Sequence, residues 1–463
     1  MTLLIADPGS FRDPGGTVMR DGERILRIVR SSAAEDYRAF QASGLLERLV
    51  QEKRLVPSIE LNEPLREELG GELLLEHPAL PFISYPYEWG FTLLRRAALH
   101  HLEVQIDALK AGFALSDATA YNVQFDGARP VFIDHLSFTR YREGEPWAGH
   151  RQFCMQFLNP LILWSRFGVP PNAWFRGSLE GIAPEEMAPL LKLRHKLSWT
   201  VFSHVTLQAS IQRKLAGSVT GAERANATKL RQSGYEAILL GLKHFVHSCR
   251  LPKQATTWAD YATHNSYAAE QAEAKKMFVM RAVESQRPAL LVDLGCNSGD
   301  YSLAALDAGA ERVIGFDFDH GALEAASART DLATRAFLPL WLDAANPSPS
   351  QGWAEAERRG LSARFANADS MVALAFIHHL AIGRNIPLSM AVDWLMSVAP
   401  RGVIEFPNKS DPMVQLLLSQ RRDIFPSYNE ENFLAEVSKR GRIVEQEHVS
   451  DRRRLLVHYD RTS

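Results

Sequence analysis

From Ala289 to its end the sequence predicts an α/β fold built on a mostly parallel sheet, preceded by an α+β region and a mainly helical connector. Three observations carry this prediction. Short apolar runs alternate with helical runs after Ala289, the pattern of strand–helix–strand units and a parallel sheet. The final strand-like runs, 441–450 and 453–459, follow each other directly and read as a hairpin, hence one antiparallel edge. The chain has 463 residues, more than one ordinary domain holds.

In the first 90 residues, ERILRIV (23–29) reads as a strand after the turn Asp21-Gly22. The run 34–53 has apolar residues at helical spacing, and 92–112 predicts a further helix. Two short strands, 121–125 and 130–136, are joined by Asp126-Gly127. Residues 140–285 read as mainly helical, with breaks at 168–172 and 250–254. Later strands are predicted at 290–295, 312–317, 337–343, 370–377 and 402–406. No internal repeat or low-complexity segment interrupts the chain.

Composition narrows the function classes. Hydrophobic residues make up 46% and charged residues 23%, the balance of a globular protein with a sizeable core. Lys+Arg is 52 against 54 for Asp+Glu, so no basic excess favours nucleic acid, and a nucleic-acid partner is not expected. Cys154, Cys249 and Cys296 are far apart and odd in number, which suggests neither a disulfide framework nor a metal site. The first residues lack a charged-then-apolar signal pattern. The longest apolar stretch, 157–164, contains Pro160 and is too short to span a bilayer. A cytoplasmic protein without membrane contact is expected; the oligomeric state is left open.

The most informative segment is Val292-Asp293-Leu294-Gly295-Cys296-Asn297-Ser298-Gly299, between an apolar strand and an Ala/Leu-rich helix. Gly295 and Gly299 permit a sharp turn and close approach of a ligand. The following helix presents free N–H groups there. Asp317 ends the next strand, 22 residues after Gly295, where a ribose-binding carboxylate is needed. The dinucleotide pattern G-x-G-x-x-G fails, since Asn297 and Asp300 occupy its second and third glycine positions. VDLGCNSGDYS followed by VIGFD resembles motif I and the acidic strand after it in class I S-adenosylmethionine-dependent methyltransferases. The resemblance covers about 200 residues and implies a Rossmann-like seven-stranded methyltransferase sheet with an antiparallel terminal hairpin. It implies that Gly295, Cys296 and Gly299 line the methionine moiety, with Asp293 at its ammonium end and Asn297 among the cofactor-binding residues. It further implies that Asp317 accepts from the ribose hydroxyls, that Phe318 flanks the adenine, and that Asp343 contacts it.

On the acceptor side, the strand 370–377 ends in His378-His379-Leu380. A histidine there can take a proton from an O–H or N–H acceptor, or orient it, because methyl transfer from a sulfonium needs mainly alignment. A hydrogen-bonded structural histidine is the plain alternative. Glu405 closes the strand GVIEF, where a pairing with His378 or His379, a polar substrate, or a salt bridge to Lys409 each account for a carboxylate. Before this domain, Tyr261, Asn265 and Tyr267 are candidates to cover the donor or admit the acceptor, with plain helix packing as the alternative. The HHL element and the IEFPNKSDPMV run are similar to methyltransferases of rhizobial nodulation type.

In the N-terminal half, Asp117 and Asn122 stand five apart and Asp134 ends the apolar run VFID. This resembles the catalytic loop and metal-binding Asp of kinase-like folds, especially small-molecule phosphotransferases. There the first Asp positions the acceptor, and the Asn and second Asp hold Mg²⁺ beside ATP. The sequence departs from that pattern. Ala114-Leu115-Ser116 replaces the His-containing lead-in, His135-Leu136 follows Asp134 in place of Phe-Gly, and no Lys precedes Lys53. Arg27 stands roughly where the phosphate-binding lysine would be, with a different donor geometry. A kinase-like scaffold that binds a ligand or partner is the favoured expectation, and an active phosphotransferase or an unrelated Asx-rich hairpin are the alternatives.

The sequence thus predicts a kinase-like region over 1–245 and a methyltransferase domain over 250–463, using S-adenosylmethionine on an O or N nucleophile of a small-molecule acceptor. A bifunctional methyltransferase/phosphotransferase using ATP and Mg²⁺, and a non-catalytic cofactor-binding scaffold, are the competing readings.

Overall fold

The computed structural model describes residues 4–22, 24–62, 69–215, 230–252, 269–330, 336–419 and 421–462. Two compact units emerge. The first comprises Met1–Phe125, Arg129–Gln254 and Gln351–Arg358; the second comprises Asp126–Ala128, Ala255–Ser350 and Arg359–Ser463. Residues 351–358, expected in the C-terminal domain, therefore belong to the first unit. The cause is local chemistry: Arg12 donates to both oxygens of Glu357, at 2.8 and 3.1 Å, and the Arg358 guanidinium lies 4.3 Å from the centre of the Tyr121 ring.

The first unit begins with a five-stranded antiparallel sheet of β1 (Ile5–Ala6), β2 (Gly16–Asp21), β3 (Arg24–Val29), β4 (Ile59–Glu60) and β5 (Leu73–His77), ordered β1-β2-β3-β5-β4. Strand periodicity sorts its side chains by face. Leu26 and Ile28 pack with Met19 and Leu74, while Val29 packs with Ala34, Tyr37, Leu73 and Leu75. Arg27 shares the parity of Val29. The helical run expected over 34–53 is two helices, Ser31–Ala42 and Leu45–Gln51, because Gly44 takes a left-handed φ of 75° between them. The helix Phe91–Lys110 follows, then β6 (Phe113–Leu115), β7 (Val123–Asp126), β8 (Arg129–Phe132) and β9 (Phe138–Arg140). β6 pairs with β9 and β7 with β8. Beyond them the described residues form a series of mostly short helices, two interrupted by π-helical segments at Cys154–Leu158 and Phe202–Leu207.

The second unit is built on a seven-stranded sheet of β10 (Leu290–Leu294), β11 (Arg312–Asp317), β12 (Phe337–Trp341), β13 (Ser370–Ala373), β14 (Arg401–Pro407), β15 (Arg442–Val449) and β16 (Arg454–Asp460). Their order is β12-β11-β10-β13-β14-β16-β15. The first five pair in parallel, and β16 runs antiparallel between β14 and β15. Every residue of β10 is buried, as expected for a strand covered on both faces. Strand order reverses at β10, whose neighbours β11 and β13 lead outward in opposite directions. In open sheets this reversal opens a crevice at the carboxyl ends of the strands. β13 stops at Ala373, short of the expected Ile377, because Ala375 adopts a left-handed φ of 48° that no strand continues through. Among the described residues, no helix is long and apolar enough to cross a membrane.

Candidate functional site

The loop leaving β10 enters that crevice. Gly295 and Gly299 have φ of 80° and 85°, and Asn297 between them has 48°. Neither glycine tolerates a side chain. A Cβ at Gly295 would lie 2.9 Å from Phe376, and one at Gly299 would lie 2.6 Å from Phe337. The turn is anchored to the next strand, since Asp317 accepts from the backbone N–H groups of Asn297 (2.9 Å) and Asp319 (2.8 Å). Each carboxylate oxygen holds one such bond and keeps a lone pair for a further donor. Burial pushes the Asp317 carboxyl above its usual range, with those backbone bonds opposing it.

Asp293, level with Gly315 and so two positions deeper than Asp317, is buried and accepts from Ser302 Oγ at 2.5 Å. Burial raises its carboxyl to about 7. Ser302 carries no motif signal; only its place on the first turns of the helix Asp300–Asp307 puts it opposite Asp293. Cys296 is buried against Gly315, whose missing side chain makes room for it. Phe318 is 57% exposed, 5.9 Å from Trp341, whose indole N–H donates to the Phe318 carbonyl. Asp343 pairs with Arg384 at 3.4 Å and accepts from the Ala345 N–H.

The loop after β13 lies across Gly295 through Phe376 and carries the two histidines. Their rings are 4.1 Å apart. His378 is buried, and neither ring nitrogen has a hydrogen-bond partner among the described residues. Burial, with His379, Arg454 and Lys275 nearby, holds His378 well below its usual pKa; burial and then Arg454 lower His379 to about 4. Both rings are neutral at physiological pH.

Glu405 does not pair with His378, His379 or Lys409. It is fully buried, 2.6 Å from Lys275 Nζ and 3.3 Å from Arg454, which also binds Asp411 at 2.7 Å. Lys409 instead pairs with Asp423. Burial alone would raise the Glu405 carboxyl, but Lys275 and Arg454 outweigh it and hold it below its usual range. The second Glu405 oxygen accepts from the Ala375 N–H at 2.6 Å. Glu405 thus clamps the strained residue that starts the histidine loop. Lys275 lies on the helix Ala269–Gln286 that also carries the buried Phe278, Val279 and Ala282. Tyr261, Asn265 and Tyr267 lie outside the described residues.

In the first unit the four expected residues converge. Asn122 Nδ2 donates to Asp117 (3.0 Å) and Asp134 (3.4 Å), and Arg27 donates to Asp134 at 2.7 Å. Ser137, unmarked in the sequence, shares its one hydroxyl proton between Asp134 (2.6 Å) and Asp117 (3.0 Å). Asp13 approaches Arg27 at 3.9 Å. Burial and then Asp134 raise the Asp117 carboxyl to about 7.

No family profile matches the chain. Solved structures resemble it at low overlap. One is the N-methyltransferase NodS from Bradyrhizobium japonicum WM9 with S-adenosyl-L-homocysteine, at 12% identity and TM-score 0.32, covering 44% of this chain and 97% of that one. Another is the magnesium protoporphyrin IX methyltransferase ChlM from Synechocystis PCC 6803 with bound SAM, at 16% and 0.30, covering 46% and 87%. A third is WbdD, at 17% and 0.28; the match spans 42% of this chain and less than half, 40%, of WbdD. A sequence relative is far nearer: nodulation protein NoeA of Rhizobium meliloti (strain 1021) is 44% identical over 458 residues, 98% of this chain and 96% of NoeA. At that identity over almost the whole of both chains, the protein belongs to the NoeA family of nodulation proteins.

Proposed function

We propose that the second unit is a class I methyltransferase that uses S-adenosylmethionine to methylate an O or N nucleophile of a small molecule in a nodulation-related process. The observation that carries this reading is the Gly295–Gly299 turn, tied to Asp317, at the point where strand order reverses. The cradle suits the cofactor: Asp317 keeps an acceptor lone pair on each oxygen for two ribose hydroxyls. Asp293 offers a buried carboxylate to an ammonium, and Phe318 an exposed ring to a flat base. The cofactor supplies an electrophilic methyl group on a sulfonium.

The protein's own part is alignment and exclusion of water. A buried His378 whose two ring nitrogens have no partner among the described residues costs about 1–3 kcal/mol until a polar partner arrives, so an acceptor hydroxyl or amine is a natural donor to it. With both rings neutral, either histidine accepts a hydrogen bond and turns the acceptor lone pair toward the methyl group. Glu405 acts on this step through the backbone of Ala375, as a positioning residue.

The Asp117, Asn122 and Asp134 cluster favours a second reading, a kinase-like first unit with ATP and Mg²⁺. Arg27 already neutralises Asp134, which supports a binding scaffold over an active phosphotransferase. Calorimetric titration of the full chain with S-adenosylmethionine, S-adenosylhomocysteine and, separately, ATP·Mg²⁺ tests both. Binding of the first two that weakens by about 10–100-fold in Asp317→Ala supports the methyltransferase reading. Unchanged affinity in that variant, or no binding, overturns it.

A further inference from the structure

The first unit holds a second cluster with no part in these readings. His150 and Cys154 stand four residues apart on one helical face, and His204 meets them from a segment 50 residues later. His150 Nε2 lies 2.7 Å from His204 Nδ1 and 3.8 Å from Cys154 Sγ, and all three ligand atoms fall within 4.8 Å of one another. Both backbones are irregular here. Cys154 opens one π-helical segment and His204 lies inside the other. Such widened turns redirect side chains and recur at functional sites. Cysteine spacing alone carries no hint of this, because two of the three groups are histidines and His204 lies far along the chain from the other two.

We infer that His150, Cys154 and His204 form a site for one zinc-class divalent cation. Two imidazoles and a thiolate suit a borderline-soft d¹⁰ ion, with a fourth position open to water. Tetrahedral zinc with ordinary bond lengths sets its nitrogen ligands about 3.3 Å apart and nitrogen and sulfur about 3.6 Å apart. The 3.8 Å separation already fits, and the imidazole nitrogens need to part by about 0.6 Å from their 2.7 Å contact.

The outer contacts agree. Gln208 lies 2.8 Å from His150 Nδ1. With the amide turned so that its oxygen faces the ring, Gln208 accepts the Nδ1 proton and leaves Nε2 free to bind metal. Binding releases the Cys154 thiol proton to solvent as the Cys154–metal bond forms. The same helical segment supports the Asp117–Asn122 loop. Gln152 accepts from the Ala118 N–H, and Gln156 accepts from the Ala120 N–H and the Thr119 hydroxyl. A cation here would brace that loop from behind.

The test uses the full chain, stripped with chelator and titrated with Co²⁺ or Zn²⁺ alone. About one equivalent is expected to bind, with tetrahedral cobalt bands and a thiolate-to-cobalt charge-transfer band in the near ultraviolet. The charge-transfer band should vanish in Cys154→Ser, and Gln208→Leu should weaken cobalt binding by about 10–100-fold. Absence of cobalt uptake by the wild-type chain, or a charge-transfer band that survives Cys154→Ser, overturns the site. Should Cys154→Ser fail to fold, the Cys249→Ala/Cys296→Ala variant decides: it must keep the band, and its loss refutes the assignment to Cys154.

Discussion

Replacing Asp293 by Asn separates what this residue does for the fold from what it does for the cofactor. Its carboxyl is raised from 3.8 to about 7 by burial, so the folded chain holds a proton that the unfolded chain releases. The sign follows: this group's contribution to stability is fully present below pH 3.8 and is lost as pH rises through about 7. A shift of about three units at about 1.4 kcal/mol each sets an upper figure of about 4 kcal/mol lost by pH 8. Asn stays neutral and keeps an oxygen for the Ser302 hydroxyl. The variant without cofactor should therefore gain about 2–4 kcal/mol at pH 8, a rise of several degrees in melting temperature, and almost nothing at pH 4. Cofactor affinity should move the other way, falling by about 10-fold or more as the ammonium loses its carboxylate. Thermal melts at pH 4, 6 and 8, with calorimetric titration at pH 8, measure both. A variant less stable than wild type at pH 8, or a gain that does not change with pH, refutes the reasoning.

Other substitutions probe other contacts. Glu405→Gln leaves Lys275 and Arg454 undercompensated in the core and should cost about 3–5 kcal/mol in chemical denaturation, with partial recovery when Lys275→Met is added. Gly299→Ala must adopt φ near 85° with its methyl against Phe337, so it should lower the melting temperature and weaken cofactor binding, which Asp300→Ala beside it should not. His378→Ala should leave cofactor affinity near wild type while turnover falls; equal turnover in both His378→Ala and His379→Ala would remove the histidines from the acceptor side. Arg27→Met removes the cation that faces Asp134 and Asp13, leaving both carboxylates beside Asp117, and should destabilise the chain by about 3 kcal/mol at pH 8 and by less at pH 5, where Asp117 carries its proton.

What was legible in the sequence was whatever depends on local order. The β10 turn and Asp317 are fixed by strand length and glycine spacing, so the motif could be read directly. The Asp117, Asn122 and Asp134 trio lies within 18 residues and was readable for the same reason. Partners set by distant segments were not. Glu405 could be seen as an odd carboxylate in an apolar strand, but Lys275 and Arg454 reach it from 130 and 49 residues away. Ser137 and Ser302 are ordinary serines until the fold faces them with carboxylates. The early end of β13 at Ala373 was hidden too, because the Ala375 conformation is held by a side chain from another strand.

The eight residues Gln351–Arg358 bear on how this protein can be taken apart. They leave the polypeptide after β12 and return before β13, yet they supply Glu357 to Arg12 and Arg358 to the face of Tyr121. No single cut therefore yields both halves whole. A fragment ending at Gln254 would keep Arg12 but lose the carboxylate that neutralises it, and the complementary fragment would carry a surface loop stripped of its seat. The first unit thus draws a segment from beyond β12, so a fragment meant to carry it whole has to include residues 351–358.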